Sequence, residues 1–410
     1  MCYIKKGNNS MKKCRRLFLY CLFFLFAAGP AQAGSGGKTG AGGTVVLYDN
    51  VFNEKGKNPE IILPASGIHF AKGGLQLTGR GQLVRLNKYY SLAARLVRYH
   101  VCFSADARAV FQSDQGDFKA YVDMVHKSIS IQTKPETRKQ VSFLNPGHDY
   151  LVEVHRDYQA AMFKLIDLHT GASDSITVTM DGTGGERAGA VGPGFSVGLQ
   201  HDYYSFGLLE GAGICVKQMT VLSKACNLLL LIYGDSITEP EGYFPTADFP
   251  ASWTQLVRQQ IRGKVVTSGR GGCTIKEVLE RIKNELPFVK AKYVMITIGT
   301  NGGNTEQNLS TLVEYIRSQG AIPILNNIPA NESGSQVPVN AVIEKVRQKY
   351  KIKGARFDKA TSLHFDGAVV DKITMWHEDY DFGQIYHHPN VKGSRLMYLQ
   401  TLTDIPEIYE

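Results

Sequence analysis

The sequence predicts two architectures in one chain: an all-β sandwich over residues 45–225, then a three-layer α/β/α domain with a parallel sheet over residues 226–410. Two observations carry this expectation. Up to about Ser223, apolar residues recur with period two in short runs broken by Gly, Asn and Asp, the pattern of half-buried antiparallel strands. Beyond Cys226, continuous apolar runs alternate with helical periodicities, the pattern of a parallel sheet covered on both faces.

Ahead of both lies a segment expected to be removed. Lys12, Lys13, Arg15 and Arg16 precede an apolar run over residues 17–28 and then Ala31-Gln32-Ala33. A basic stretch, a short apolar stretch and an A-x-A site read together as a cleaved signal peptide over residues 1–33, with Met11 as the expected start. The run is shorter than the ~20 residues that a membrane span needs. No integral membrane segment is therefore expected after cleavage, and the protein is expected to be secreted or periplasmic. Tyr20 stands where a lipoprotein would carry a small residue before Cys21. Residues 34–44, rich in Gly, Ser and Thr, read as a flexible mature N-terminus.

The net charge of +9 does not imply a polyanionic partner. Residues 1–33 hold six basic side chains and no acid, leaving +3 for the remainder, so no nucleic-acid binding is expected. Cys102, Cys215, Cys226 and Cys273 stay in the mature chain, in a compartment where bridges can form. Four cysteines allow three pairings, and sequence does not choose among them or between bridges and free thiols. No His/Cys cluster has the spacing of a zinc site, so neither metal nor cofactor is expected.

Within the sandwich, strands are expected around 75–77, 97–103, 118–122, 128–132, 150–154, 163–166 and 176–178, with turns at Lys72-Gly73-Gly74, Asn145-Pro146-Gly147 and Thr170-Gly171. In the second domain the first strand is 228–233. Helix 253–261, strand 265–266, helix 275–282, strand 293–298, helix 309–318, strand 322–325 and helix 339–350 follow. Arg356-Phe357-Asp358 suggests a last strand, and 391–402 a closing helix. Such sheets put their chemistry at the C-terminal ends of the strands.

Four blocks fall at those positions. Gly234-Asp235-Ser236-Ile237-Thr238 follows the first strand. Ser268-Gly269-Arg270-Gly271-Gly272-Cys273-Thr274 follows the second. Ile298-Gly299-Thr300-Asn301 ends the third, and His388-Pro389-Asn390-Val391-Lys392-Gly393 precedes the last helix. Taken singly, these are also a helix cap, two turns and a surface histidine. In this order, residues 228–404 resemble the SGNH (GDSL-like) hydrolases, which implies a flavodoxin-like fold. The sandwich in turn resembles laminin-G or concanavalin-like jelly rolls over residues 151–171.

The hydrolase resemblance implies Ser236 as nucleophile and His388 as general base, with an oxyanion hole from the N–H groups of Ser236, Gly272 and Asn301. His387, which lacks a following proline, ranks behind His388. Two departures stand out. Gly302 replaces the family's aspartate after the asparagine, and Ile385 replaces the aspartate three residues before the histidine. His388 is then expected to work in a dyad oriented by a backbone carbonyl. Alternatively an acid from Asp381, Asp379, Glu378 or Asp371 substitutes, with Asp381 leading. The insertion 361–386 carries Trp376 and Tyr386 as expected substrate contacts, and a second aromatic loop spans 243–253.

A serine hydrolase behind a lectin-like sandwich resembles bacterial carbohydrate esterases. The expected function is a secreted serine esterase removing O-acetyl groups from a poly- or oligosaccharide through an acyl-serine intermediate. A lipase or acyl-thioesterase, or a glycan-binding protein with an inactive hydrolase domain, are the alternatives.

Overall fold

The computed structural model describes residues 43–53, 58–90, 93–113, 118–132, 136–156, 160–179, 203–239, 244, 247–380 and 383–410. The expected leader lies outside these residues. No described helix is long and apolar enough to cross a membrane.

Two antiparallel sheets make up the first part. One has eight strands, in the order Ser173–Thr179, Ala160–Asp167, Asp149–Arg156, Arg95–Phe103, Ile214–Ser223, Gly74–Leu77 and Ile68–Ala71, with Val45–Val51 also pairing with Ile214–Ser223. The other has seven: Thr137–Gln140, Ser128–Ile131, Phe118–Asp123, Arg108–Ser113, Tyr203–Glu210, Gln82–Tyr89 and Ile61–Ile62. Alternation sets which face is buried. In Arg95–Phe103, Val97, Tyr99, Val101 and Phe103 point inward, while Arg98, His100 and Cys102 stay partly exposed. Between the sheets Tyr99 packs against Phe111 and Phe206, with ring centroids 5.0 and 5.5 Å apart.

The second part is a four-stranded parallel sheet in the order Val265–Gly269, Leu228–Gly234, Ala291–Thr297, Ile322–Leu325. Its strands are apolar on both sides because both sides are covered. From Leu228–Gly234, Leu231 and Tyr233 join the core beneath helices Ile275–Val289, Glu306–Ser318 and Gln336–Tyr350. Leu230 and Ile232 join the opposite core, with Trp253 and Val257 from helix Trp253–Gln260 and Met397 from helix Val391–Asp404. The three-layer α/β/α architecture is therefore present, preceded by the all-β sandwich.

Two local expectations need correction. Phe357-Asp358 opens a short helix, Phe357–Ala360, instead of a strand. Phe357 is buried against Trp253, at 5.0 Å between ring centroids, and Arg356 turns back onto Asp358 with both contacts at 3.2 Å. The chain does run along the sheet edge just before this, where Leu325 N–H donates to Lys353 O at 2.9 Å. Helix Ile275–Val289 also extends beyond residue 282 and holds Pro287 in its last turn.

The sandwich and the α/β sheet share one continuous core, and a buried ion pair fastens them. Arg95 Nη2 lies 2.8 Å from Glu285 Oε1, with both side chains at most 1% exposed. Tyr233 donates its hydroxyl to the other Glu285 oxygen at 2.6 Å, and Arg95 Nη1 donates to Ser223 Oγ at 3.0 Å. Removing one member of such a pair strands the other charge in the interior, which costs about 3–5 kcal/mol. Glu285→Ala should therefore lower the urea midpoint of the whole transition by an amount equivalent to that loss. An unchanged midpoint would remove this pair from any role in fastening the two parts.

Candidate active site

The three strand-end loops and the last helix converge on Ser236. Leu228–Gly234 stops at Gly234, and the chain makes one helical turn, in which Thr238 and Glu239 N–H donate to Asp235 O at 3.0 and 3.1 Å. Asp235 Oδ1 accepts the Ile237 N–H at 3.1 Å, and Trp253 Nε1 holds Ile237 O at 2.8 Å. Ser236 is thus fixed at the C-terminal end of a central strand, buried but for a few per cent of its surface.

Two carboxylates flank the serine, and each reaches a different neighbouring loop. Asp235 faces the N–H groups of Gly299 and Thr300 in the loop after Ala291–Thr297; burial pushes its carboxyl up to about 6 despite these donors. Glu239 accepts from Arg270 Nη1 at 2.6 Å and from the Gly271 N–H in the loop after Val265–Gly269. Arg281 Nη2 and the Arg270 N–H both donate to Gly234 O, at 3.1 and 3.2 Å. Asn301 then joins the second and third loops, its side-chain Nδ2 donating to Cys273 O at 3.0 Å. Gly272 lies in the same turn at a φ of 71°.

His388 sits just ahead of helix Val391–Asp404. Asn390 caps that helix by accepting the Gly393 N–H at 3.1 Å, and its amide donates to Ile373 O and Met375 O in the insertion. Gly393 passes so close to Thr374 that a Cβ would run into its carbonyl oxygen. The H-P-N-x-x-G spacing therefore has a mechanical reading: the asparagine starts the helix and the glycine lets the insertion dock.

His388 Nε2 lies 2.8 Å from Ser236 Oγ. His388 Nδ1 lies 2.8 Å from both oxygens of Glu378, a buried carboxylate and one of the acids expected as substitutes. Ser236, His388 and Glu378 thus form one chain of contacts. Burial lowers the His388 imidazole below its ordinary value of 6.5.

The hairpin register explains how the carboxylate gets there. Strands Glu378–Tyr380 and Gly383–Ile385 pair so that Glu378 stands directly opposite Ile385. The carboxylate beside His388 thus comes from the residue across the ladder from 385. Asp381 lies outside the described residues, as does the side chain of Asp379. Asp371 instead accepts the Ile373 N–H and opens a turn.

His387 Nδ1 is 3.1 Å from Glu378 Oε2, and the two histidine rings are 3.7 Å apart. Glu378, His387 and His388 hold their ligand atoms within 4.8 Å of one another, a donor set that a divalent cation would accept. Trp376 donates its backbone N–H to His388 O at 2.8 Å and meets Phe244 edge-on at 5.8 Å. Phe244 lines the cavity beside Ser236, with Ile237, Ser252, Trp253, Thr254, His388 and Pro389. Tyr386 stacks on His377 at 5.1 Å between ring centroids, and Lys372 Nζ lies over the Tyr386 ring at 4.6 Å. Gly302 occupies the family's aspartate position at a φ of 91°, a left-handed conformation that glycine adopts without strain and aspartate does not.

Residues 232–396 match the model of the GDSL-like Lipase/Acylhydrolase family. No curated protein matches the chain. Among solved structures it is similar to LAE5, an alpha/beta hydrolase enzyme from the metagenome of Lake Arreo, Spain, at 19% identity over 44% of this chain and 95% of that one, with a TM-score of 0.34. It is also similar to the acetylxylan esterase Axe2 from Geobacillus stearothermophilus, at 18% identity over 44% and 94%, with a TM-score of 0.34. The VIP36 exoplasmic/lumenal domain, Ca2+-bound, matches at 9% identity over 43% and 90%, with a TM-score of 0.32.

The pinning of loops to the nucleophile turn is testable without reference to chemistry. A Cβ at Gly269 would collide with the backbone of Thr238 and Glu239, so only glycine lets these two loops touch. Gly269→Ala should lower the thermal midpoint by several degrees, since a destabilisation of about 1 kcal/mol in a chain of this size moves it by roughly 2–4 °C. Retention of the wild-type midpoint would mean that the loops separate freely.

Proposed function

We propose that this protein is a secreted serine esterase that removes O-acetyl groups from a carbohydrate, with Ser236 as nucleophile, His388 as general base and Glu378 as the acid that orients the base. The observation that carries the proposal is the 2.8 Å contact on each nitrogen of His388, one to Ser236 Oγ and one to Glu378. A serine hydroxyl is a weak nucleophile near neutral pH and needs a base within hydrogen-bond reach. The neutral imidazole takes its proton as Oγ attacks the ester carbon. Glu378 fixes the tautomer by accepting from Nδ1–H and stabilises the imidazolium that forms.

The tetrahedral intermediate carries its negative charge on the former carbonyl oxygen. The N–H groups of Ser236 and Gly272 and one N–H of the Asn301 amide are the proposed donors to it, each worth about 2.7–4 kcal/mol. Imidazolium then protonates the departing sugar oxygen. Water hydrolyses the acyl-serine by the same steps reversed.

The acetyl and carbohydrate parts of the reading are supported by the order of the two domains, since a serine hydrolase behind a lectin-like sandwich resembles bacterial carbohydrate esterases. Trp376, partly exposed beside Phe244, is the aromatic face offered to a sugar ring. The reading of residues 1–33 as a signal peptide supports secretion.

A fluorophosphonate probe should label Ser236, and acetylated polysaccharides should release acetate. No labelling of folded protein would sink the esterase reading. With p-nitrophenyl acetate, His388→Ala should abolish turnover while His387→Ala keeps most of it. Glu378→Gln should lower kcat by about a hundred- to ten-thousandfold; near-normal kcat in this variant would return the mechanism to a dyad.

The pH profile provides a separate check. Only the neutral imidazole is competent, so activity falls as pH drops through the His388 pKa. Because burial lowers that pKa, the acid limb of kcat/KM should lie below pH 6.5. A limb at or above 6.5 would contradict the buried, neutral base.

A further inference from the structure

Away from this site, the outer face of the eight-stranded sheet brings two cysteines together. Cys102 in Arg95–Phe103 and Cys215 in Ile214–Ser223 are direct register partners on adjacent antiparallel strands. Both are partly exposed, whereas Cys226 and Cys273 are buried in connecting segments. Directly opposed residues in such a ladder have Cα atoms about 4.5–5.5 Å apart, inside the window of about 4.4–6.8 Å that a disulfide requires. We propose that Cys102 and Cys215 are a redox-closable pair, reduced as free thiols here and joined as a cross-strand disulfide in an oxidising compartment.

The surroundings supply the chemistry. Cys102 Sγ–H donates to Asp149 Oδ1 at 2.7 Å, and Lys217 Nζ holds the other oxygen of Asp149 at 2.7 Å. His100 Nε2 lies 3.4 Å from the same carboxylate. The adjacent Cys102 sulfur and the Lys217 ammonium bring the Cys215 thiol down to about 7, and burial opposes them. The thiolate is the attacking species in disulfide exchange. Hydrogen bonding and burial hold Cys102 as a thiol, its proton directed at a carboxylate.

The oxidant is a low-molecular-weight disulfide such as oxidised glutathione. Cys215 thiolate attacks one of its sulfurs, forming a mixed disulfide and releasing one thiolate. Cys102 then gives its proton to Asp149 and attacks the Cys215 sulfur. The second thiolate leaves and takes up that proton. Two protein thiols are oxidised, one glutathione disulfide is reduced to two thiols, and Asp149 ends as it began. Strand register favours this pairing among those that sequence left open, independently of the esterase reading.

The test uses the full chain, incubated with oxidised or reduced glutathione, alkylated under denaturing conditions and mapped by peptide mass spectrometry. Oxidised protein should yield a peptide linking Cys102 to Cys215, with Cys226 and Cys273 alkylated in both samples. The thermal midpoint should be higher in the oxidised sample, and the difference should vanish in Cys102→Ser. Full alkylation of Cys102 and Cys215 after oxidation, or a link to any other cysteine, would overturn the proposal.

Discussion

The site depends on two buried carboxylates that bracket Ser236. Asp235 and Glu239 lie on either side of Ser236 in one helical turn, and each is directed at a different loop. A carboxylate without partners is expensive to bury: Glu239 meets Arg270 and the Gly271 N–H, and Asp235 faces the loop at Gly299 and Thr300. Asn301 Nδ2 donates to Cys273 O and so ties the second loop to the third.

His388 arrives from the other side, and its position is enforced by docking of the insertion on the last helix. Asn390 and Gly393 bind that helix start to residues 373–375. The same insertion folds back as the hairpin that carries Glu378. His388 and Glu378 therefore belong to one local unit, braced by the Trp376 to His388 backbone bond. The insertion that sequence marks as an aromatic overhang is equally the support of His388.

Much of this was legible in the chain. Ser236, Asn301 and His388 stand in short motifs whose meaning is local, because a strand end, a turn and a helix cap are set by neighbours in sequence. The parallel sheet announced itself through runs apolar on both faces. Glu378 was only one of four acids in view, since its role depends on a two-stranded register that places it across from Ile385. Register is set by pairing, which no single strand displays. Aromatic content likewise says nothing about what a ring faces, and Tyr386 stacks on His377. The strand expected at 356–358 failed because Arg356 and Asp358 can satisfy each other across two residues, which favours a tight turn. Pro287 concealed the end of its helix, where a missing N–H breaks no more than one bond.

The Arg95–Glu285 contact has a consequence for how the protein comes into being. Chains are made from the N-terminus, so every strand of the sandwich exists before Glu285 has been added. Until then the guanidinium of Arg95 must remain hydrated, and the edge of the sandwich around Tyr90, Tyr204 and Ser223 stays open to water. Dry closure of that edge waits for helix Ile275–Val289. The sandwich is thus less a detachable module than the first half of a joint, and its final form is decided by residues synthesised well after it.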